Sequence, residues 1–267
     1  MRKVGVVGWP VTQSRSPVIF GHWFERYGVE GRYELIPVRP EDADDFFQNL
    51  PAEWTGVNVT IPHKEAAARH VQCHGPALTL GVANTLWRQG GAVHGTSSDG
   101  HGFVASLKAD APAWDPSMLN LVVGAGGASA AIVAALKSFG EVMVVNRTTS
   151  RAEALAEKIG GVQWASWDAL GDVLGKAGLL VNATSLGMTG TAPLELDVSR
   201  LPKNAVVADI VYNPLETPLL AAARAQNLFT VDGLGMLLHQ ATVGFERWFG
   251  IAPDVDAELR AKVVATL

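Results

Sequence analysis

The sequence predicts an α/β protein built from two layered domains. Short apolar stretches with strand periodicity alternate with segments of helical periodicity, an order typical of mostly parallel sheets covered by helices. The chain has 267 residues, which is enough for two ordinary domains. A linker at 109–117, which contains Pro112 and Pro116, separates a first set of elements from a second.

The first set of elements begins with a compact apolar strand at 4–7. Ser16 and Pro17 then open a helix, with Ser16 predicted as the N-cap and Pro17 at the first helical position. Aromatic residues recur at helical spacing from Phe20 to Tyr27, so we expect them to pack inward. Further strands are predicted at 33–38, 56–61 and, as a hairpin, at 82–88 and 93–95, with helices at 40–50, 62–71 and 76–80.

The strand at 56–61 leads into a chemically unusual helix start. Asn58 and Thr60 share one face of this strand, and Pro62 suits the first turn of a helix. Lys64 then lies in that first turn, where the positive end of the helix dipole disfavours an ammonium group. The placement suits a lysine that exchanges a proton, although a surface lysine at a strand-to-helix turn explains this local stretch equally well.

The second set of elements follows a helix that starts at Asp99. A near-continuous apolar strand at 119–123 is typical of a strand buried on both faces. Strands at 142–145, 179–183 and 205–210 alternate with helices at 128–139 and 151–159, which predicts a Rossmann-type, doubly wound domain. Two final helices at 234–248 and 257–265 add no strand, so we expect them to pack on the first domain. The predicted boundaries are 1–104 for the first domain, 105–232 for the second and 233–267 for the returning helices.

Composition excludes several functional classes. The formal net charge is −5, which argues against a general nucleic-acid or membrane-surface binder. Cys73 is the only cysteine, so no intrachain disulfide can form, and a reducing, cytoplasmic location is expected. His63, His70 and His74 lie near Cys73 but match no zinc spacing, so no metal site is predicted.

A glycine-rich loop follows the strand at 119–123 and opens the next helix. Gly124 allows a tight turn, while Gly126 and Gly127 let a pyrophosphate approach the backbone at a helix N-terminus. Ser129 stands where the common fingerprint has its third glycine, so the loop is a variant. The strand before it and the helix after it make a dinucleotide site the favoured interpretation. The cofactor-binding residues predicted here are Gly124, Ala125, Gly126, Gly127, Ala128 and Ser129.

The end of the next strand indicates which dinucleotide binds. A site for NAD would place an Asp or Glu here to hold the ribose hydroxyls. This chain has Asn146 instead, followed by Arg147, Thr148 and Arg151. Both arginines can pair with a 2′-phosphate, so we predict NADP rather than NAD as the cofactor.

The candidates for chemistry lie in the first domain and at its end. They are polar side chains at strand ends or helix starts, namely Ser14, Ser16, Asn58, Thr60, Lys64, Asn84, Thr85 and Asp99. Hydroxyls, amides and one Lys/Asp pair suit a small polyhydroxylated acid as substrate. Lys64 can give a proton to a carbonyl oxygen as hydride arrives, or take it back in reverse, with Asp99 as its partner. Ser14 and Ser16 can bind a carboxylate.

Taken together, these motifs resemble the shikimate dehydrogenase family over nearly the whole chain. The matching stretches are Ser14-Arg15-Ser16-Pro17, Asn58-Val59-Thr60-Ile61-Pro62-His63-Lys64-Glu65, Asn84-Thr85, the glycine loop with Asn146-Arg147-Thr148 and Arg151, Asn182-Ala183-Thr184-Ser185, Tyr212-Asn213-Pro214, and Asp232-Gly233-Leu234-Gly235-Met236-Leu237 with Gln240. Several separate motifs in one order make a chance similarity improbable.

The resemblance implies both an activity and a set of site residues. The activity is the NADP-dependent, reversible reduction of 3-dehydroshikimate to shikimate in aromatic amino acid biosynthesis. Lys64 and Asp99 are then the catalytic pair. The substrate contacts implied are Ser14, Ser16, Asn58, Thr60, Lys64, Asn84, Asp99 and Gln240, with Tyr212 at the border. Thr184, Gly233 and Met236 are implied to lie near the cofactor.

One departure from the family pattern leaves alternatives open. The family usually reads Gly-x-Asn-Thr-Asp-Gly around the catalytic aspartate, whereas this chain has Ser97 and Ser98 before Asp99. Serine is shorter than asparagine and has no NH₂ donor. The substrate can therefore be quinate or another small hydroxy acid. A non-catalytic NADP-binding regulatory module is the alternative from a different class. We expect only small-molecule partners and a monomer or homodimer.

Overall fold

The computed structural model describes residues 1–267, which form two compact units. The first unit comprises 1–98 together with 240–267, and the second comprises 99–239. One helix, α10 (Gly233–Phe249), begins in the second unit and ends in the first. The predicted boundaries at 104/105 and 232/233 lie a few residues from these divisions.

The first unit is a six-stranded sheet with helices. Its strands are β1 (Arg2–Gly8), β2 (Gly31–Pro37), β3 (Trp54–Val59), β4 (Gln72–Cys73), β5 (Thr85–Gln89) and β6 (Ala92–Thr96). Its helices are α1 (Ser16–Tyr27), α2 (Ala43–Gln48), α3 (Lys64–His70), α4 (Pro76–Leu80), the second part of α10, and α11 (Ala257–Val264). A short 3₁₀ helix, Pro40–Asp42, precedes α2.

The strand order in this sheet is β2-β1-β3-β5-β6-β4. β1 pairs in parallel with both β2 and β3, so the carboxyl ends of these three strands meet at one edge. β5 and β6 form the predicted antiparallel hairpin, in which Gln89 pairs with Ala92. The turn between them consists of Gly90 and Gly91, whose φ angles of 59° and 82° suit a type I′ turn.

Aromatic side chains fill the space between α1 and the last helices. Phe20 and Trp23 are fully buried and contact Phe245, and Phe20 lies 5.4 Å from Trp248 between ring centroids. Trp248 Nε1 donates a hydrogen bond to Leu86 O on β5 at 2.9 Å. This aromatic cluster packs the second part of α10 against α1 and β5.

Three local predictions in this unit are wrong or incomplete. Pro62 is not helical: Ile61-Pro62 is a cis peptide in a turn, and α3 begins only at Lys64. Ser16 is not the N-cap, because Arg15 has helical dihedral angles and takes that position. The two-residue strand β4 has too few residues to carry a periodic pattern, and no strand was predicted there.

The second unit is a six-stranded parallel sheet. Its strands are β7 (Leu119–Val123), β8 (Val142–Val145), β9 (Gln163–Ala165), β10 (Ala177–Asn182), β11 (Val206–Asp209) and β12 (Phe229–Val231). Its helices are α5 (Asp99–Asp110), α6 (Gly127–Leu136), α7 (Thr149–Ile159), α8 (Leu170–Leu174), α9 (Pro218–Ala225) and the first part of α10.

The strand order β12-β11-β10-β7-β8-β9 is that of a Rossmann-type doubly wound sheet. β7 and β10 are buried along their whole length, which explains why their sequences are apolar except for Asn120 and Asn182. Strands β9 and β12 were not predicted, because each has only three residues and lies at an edge of the sheet. No helix in either unit is long and apolar enough to cross a membrane.

Candidate active site

Asn58 is the centre of a hydrogen-bonded polar cluster in the first unit. Its side chain comes off β3 and is 5% exposed. Asn58 Nδ2 lies 3.2 Å from Asn84 O and 3.3 Å from Thr85 Oγ1, so it donates to the start of the neighbouring strand. The antiparallel pairing of Asn58 with Thr85 places these groups side by side. The structure thus brings together residues that are 26 and 27 positions apart.

Ser98 hydrogen-bonds Asn84 and Thr85 of this cluster and adds Gln240 to it. Its backbone N–H donates to Asn84 Oδ1 at 2.7 Å. Its Oγ lies 3.2 Å from both Asn84 Oδ1 and Thr85 Oγ1, and 3.4 Å from Gln240 Oε1. A hydroxyl has one proton, so Ser98 donates to one of these oxygens at a time. Ser98 is therefore the residue that links Gln240 of α10 to Asn84 and Thr85.

Ser14 and Ser16 lie next to each other before and at the start of α1. The backbone N–H of Ser16 donates to Ser14 Oγ at 3.3 Å, and the two hydroxyls are 3.2 Å apart. Tyr33, on β2, connects this pair to the cluster around Asn58: it hydrogen-bonds Ser16 and donates to Asn58 Oδ1 at 2.8 Å. Burial raises the pKa of the Tyr33 hydroxyl, so this donor stays protonated. The sequence analysis placed Tyr33 in a strand but did not recognise this role.

Lys64 is the first residue of α3 and is half-buried. Its backbone carbonyl accepts a hydrogen bond from Ala83 N at 2.9 Å, which ties the start of α3 to the residue before Asn84. The neighbouring His63 is 1% exposed, and its Nε2 donates to Val38 O at 2.7 Å. His63 therefore holds the turn in place, whereas Lys64 retains partial exposure. Thr60, also half-buried, donates its N–H to Val7 O at the end of β1.

Asp99 follows Ser98 in the chain and begins α5 in the second unit. It is 7% exposed, and its carboxylate lies in the first turn of the helix, where the dipole favours negative charge. Gly100 must be small, because a Cβ there would lie 2.9 Å from Ala135 Cβ of α6.

The glycine loop of the second unit has the geometry of a phosphate cradle. Gly124 has φ of 120°, and a Cβ there would lie 2.8 Å from Ala183 O. Gly126 and Gly127 are exposed at the start of α6, and a Cβ on either would meet nothing within 4 Å, so a ligand can approach the backbone closely. Ser129 is fully buried; its Oγ donates to Ala183 O at 3.1 Å and accepts from Gly126 N at 3.2 Å. Ser129 thus holds the loop, while Ala125 and Ala128 beside it are half-buried.

The end of β8 carries exposed basic groups and no carboxylate. Asn146 Nδ2 donates to Thr148 O at 2.9 Å, which closes the turn before α7. Thr148 is the N-cap of α7, and Arg147 and Arg151 are both exposed on this turn and on the first turn of the helix. The donor set fits a 2′-phosphate, because two guanidinium groups are available.

The remaining predicted residues follow β10, β11 and β12: Thr184, Gly233 and Met236 were implied to lie near the cofactor, and Tyr212 at the border of the substrate. Thr184 is half-buried and its hydroxyl donates to Asn182 Oδ1 at 2.7 Å. The half-buried Tyr212 follows Val211, whose N–H donates to the buried carboxylate of Asp209 at the end of β11. Gly233 donates its N–H to Val211 O at 3.3 Å, and the half-buried Met236 follows on the first turn of α10.

No group of three or more His, Cys, Asp or Glu side chains is arranged to hold a metal ion. The polar cluster of the first unit offers hydroxyls and amides that suit a small hydroxylated acid. The glycine loop and the two arginines of the second unit suit a phosphorylated dinucleotide. Chemically, the arrangement fits proton exchange at a carbonyl or alcohol coupled to hydride transfer.

Family models match three parts of the chain. The shikimate dehydrogenase substrate binding domain matches residues 6–86, shikimate / quinate 5-dehydrogenase matches 116–235, and the shikimate 5'-dehydrogenase C-terminal domain matches 233–258. Among curated relatives, shikimate dehydrogenase (NADP(+)) of Mesorhizobium japonicum is 51% identical over 271 residues, covering 100% of this chain and 97% of that protein.

Two solved structures are also similar over the full length. Shikimate 5-dehydrogenase of Thermus thermophilus, in complex with NADP(H) and shikimate, has a TM-score of 0.90 and 34% identity, with 100% of both chains covered. Quinate dehydrogenase of Corynebacterium glutamicum, in complex with NAD, has a TM-score of 0.89 and 30% identity, with 99% of both chains covered.

Proposed function

The chain belongs to the shikimate dehydrogenase family, and we propose that Lys64 exchanges the proton in the reaction it catalyses, the NADP-dependent, reversible reduction of 3-dehydroshikimate to shikimate. The observation that carries this assignment is the position of Lys64. It starts α3 after the turn that follows β3, the strand that presents Asn58. Its carbonyl accepts a hydrogen bond from the N–H of Ala83, the residue before Asn84. A lysine at a helix start lacks the support of the helix dipole, so a chemical role accounts for it better than a structural one.

NADPH, when bound, supplies the hydride that reduces the carbonyl carbon. Lys64 gives a proton to the carbonyl oxygen as the alcohol forms, and takes that proton back in the reverse direction. Asp99 is the proposed second member of the catalytic pair. The amide and hydroxyl groups of the cluster hold the ring hydroxyls, and Ser14 with Ser16 holds the carboxylate. The proposed substrate contacts are Ser14, Ser16, Asn58, Thr60, Asn84, Asp99 and Gln240, bordered by Tyr212.

The second unit is the proposed NADP-binding domain, and the first unit the substrate domain. The backbone from Gly124 to Ala128 would hold the pyrophosphate, with Ser129 supporting the loop. Arg147 and Arg151 would hold the 2′-phosphate, with Asn146 and Thr148 shaping the turn. Thr184, Gly233 and Met236 are proposed to border the nicotinamide. We also propose a cytoplasmic enzyme, because Cys73 is a free thiol and the only cysteine.

An absorbance assay of NADPH formation tests the function and the substrate. Shikimate with NADP⁺ should give the highest kcat/KM, and NAD⁺ should be poorer because it lacks the group that the two arginines bind. Comparable kcat/KM with quinate would support the alternative of a quinate/shikimate dehydrogenase. Two observations favour testing this alternative: the presence of Ser97 and Ser98 before Asp99, and the similarity to a quinate dehydrogenase. NADPH binding without turnover of any acid would indicate a regulatory module instead.

A further inference from the structure

The strongest unassigned feature is the buried carboxylate of Asp209 at the end of β11. It is 2% exposed and lies in the second unit. Its Oδ1 accepts hydrogen bonds from Asn182 Nδ2 at 3.0 Å and from Val211 N at 3.0 Å, and its Oδ2 accepts from Thr217 Oγ1 at 2.7 Å. All three donors are uncharged, so the carboxylate is buried without a countercharge.

Such burial is costly for the fold. Burial raises the pKa of Asp209, because water stabilises the charged form better than three neutral donors do. An apolar residue at the end of this strand would avoid that cost. A carboxylate at this position is explained if its hydrogen bonds orient segments that the activity needs.

One of these segments is the turn after β10. Asn182 is fully buried, and its Nδ2 donates both to Asp209 and, at 2.9 Å, to Leu186 O. Its Oδ1 accepts from Thr184 N at 3.1 Å and from Thr184 Oγ1 at 2.7 Å. The orientation of Thr184 therefore depends on how Asp209 holds the Asn182 amide, since flipping this amide would break every one of these bonds.

The other segment follows Asp209 itself. The hydrogen bond from Val211 N fixes the backbone directly before Tyr212. Val211 O then accepts from Gly233 N at 3.3 Å, at the start of α10. One carboxylate thus joins the turn that carries Thr184 to the segment that carries Tyr212, and through it to Gly233.

We propose that Asp209 is a positioning residue for NADP. It sets the 182–186 turn with Thr184 and, through Val211, the start of α10 with Gly233, for the nicotinamide half of the cofactor. The roles of Thr184 and Gly233 at the nicotinamide, and of Tyr212 beside the substrate, rest on the function proposed above. Asp209 itself is too deeply buried to touch the cofactor and acts through Asn182 and Val211.

The test is the equilibrium dissociation constant of NADPH, measured by fluorescence titration, beside the Tm of each variant. Asp209→Ala removes the acceptor for both segments and should weaken NADPH binding about tenfold or more, because misplaced contacts of this kind are costly. Asp209→Asn keeps one oxygen for Asn182 Nδ2 and Val211 N and turns its NH₂ towards the Thr217 oxygen. It should keep NADPH affinity within about threefold of the wild type.

Thr217→Val is the matched control. It removes the hydrogen bond that Thr217 Oγ1 donates to the same carboxylate, on the side that faces α9. Thr217 Oγ1 also caps α9 by accepting from Leu220 N. It should lower the Tm without changing NADPH affinity. An Asp209→Ala variant with wild-type NADPH affinity, or a Thr217→Val variant that loses as much affinity as Asp209→Ala, would overturn the proposal.

A second variant covers the case in which Asp209→Ala does not fold. Asn182→Ser removes the amide between Asp209 and Thr184 and leaves the carboxylate bonded to Val211 and Thr217, so it should weaken NADPH binding to a similar extent. Unchanged affinity in this variant would equally count against the proposal. The measurement uses binding alone, so a failure of shikimate turnover in the wild type would contradict the proposed function without deciding the role of Asp209.

Discussion

At the scale of single residues, Lys64 differs from the other polar residues of the first unit. Asn58 is buried, and its amide is committed to Asn84 and Thr85. Such committed groups are preorganised and would define the shape of the proposed substrate site. Lys64 is half-buried at a helix start, which is where a side chain can reach a substrate and still be held by its backbone.

Replacing Lys64 by alanine should therefore remove chemistry more than binding. We expect kcat for shikimate oxidation to fall by about 10²–10⁴, the usual contribution of a positioned acid or base, while the Kd of shikimate changes less than about tenfold. Steady-state kinetics and an equilibrium titration measure the two effects. Lys203→Ala, an exposed lysine of the second unit, should keep wild-type kinetics. A Lys64→Ala enzyme with near-normal kcat would show that another group exchanges the proton.

At the scale of elements, the glycine loop at 124–129 is held by the ends of β8 and β10. Gly124 directly follows β7 with φ of 120°, and its N–H donates to Val145 O at 2.8 Å. Ser129 closes the loop from the other side through Ala183 O. The loop is therefore held by both neighbouring strand ends before any ligand binds.

Gly124→Ala tests this dependence. Its Cβ would lie 2.8 Å from Ala183 O, and φ of 120° is strained for alanine, so the loop must shift. We expect a lower Tm and an NADPH affinity reduced by about tenfold or more. Gly21→Ala on α1 is the control, because its Cβ would meet nothing within 4 Å and alanine favours the helix. Wild-type NADPH affinity in Gly124→Ala would mean that the loop tolerates the shift.

The elements also explain what could be predicted from the sequence. The strand β7 and the hairpin β5–β6 were predicted correctly because a near-continuous apolar run and a pair of glycines are strong local signals for a buried strand and a tight turn. Pro62 was predicted to be helical because proline favours the first turn of a helix wherever it occurs. In the structure Pro62 lies instead in the turn that connects β3 to α3. The roles of Tyr33 and Asp209 could not be predicted, because each depends on partners brought together by the sheet.

At the scale of the whole molecule, ionisable groups make the stability of the fold depend on pH in two directions. Hydrogen bonds from His70 and Arg69 lower the pKa of Asp44, and hydrogen bonds from the Ser117 side chain and backbone lower that of Asp115. Their contribution is present above the ordinary carboxyl pKa and is lost as the pH falls. Asp209 has the opposite sign: its raised pKa means that its ionisation weakens the fold as the pH rises.

Tyr33 should dominate the pH dependence of the stability of the fold at alkaline pH. Burial raises its pKa far above the ordinary value of about 10, so the folded state keeps a proton that the unfolded state releases. Its contribution is fully present below pH about 10 and is lost as the pH rises above that value. The loss corresponds to roughly tenfold in the unfolding equilibrium constant per pH unit.

Tyr33→Phe separates this effect from the hydrogen bond. At pH 8 the variant should be less stable by about 1 kcal/mol, because Asn58 Oδ1 loses its donor. Above pH 10 the difference from the wild type should shrink with each unit, since phenylalanine has no proton to lose. Urea unfolding between pH 8 and 11 measures both. Tyr27→Phe is the control for the loss of a tyrosine hydroxyl elsewhere in the first unit. Tyr27 is half-buried, and its hydroxyl accepts a hydrogen bond from Asp254 N. A Tyr33→Phe curve parallel to the wild type over the whole range would mean that Tyr33 ionises as readily in the folded protein as in the unfolded chain.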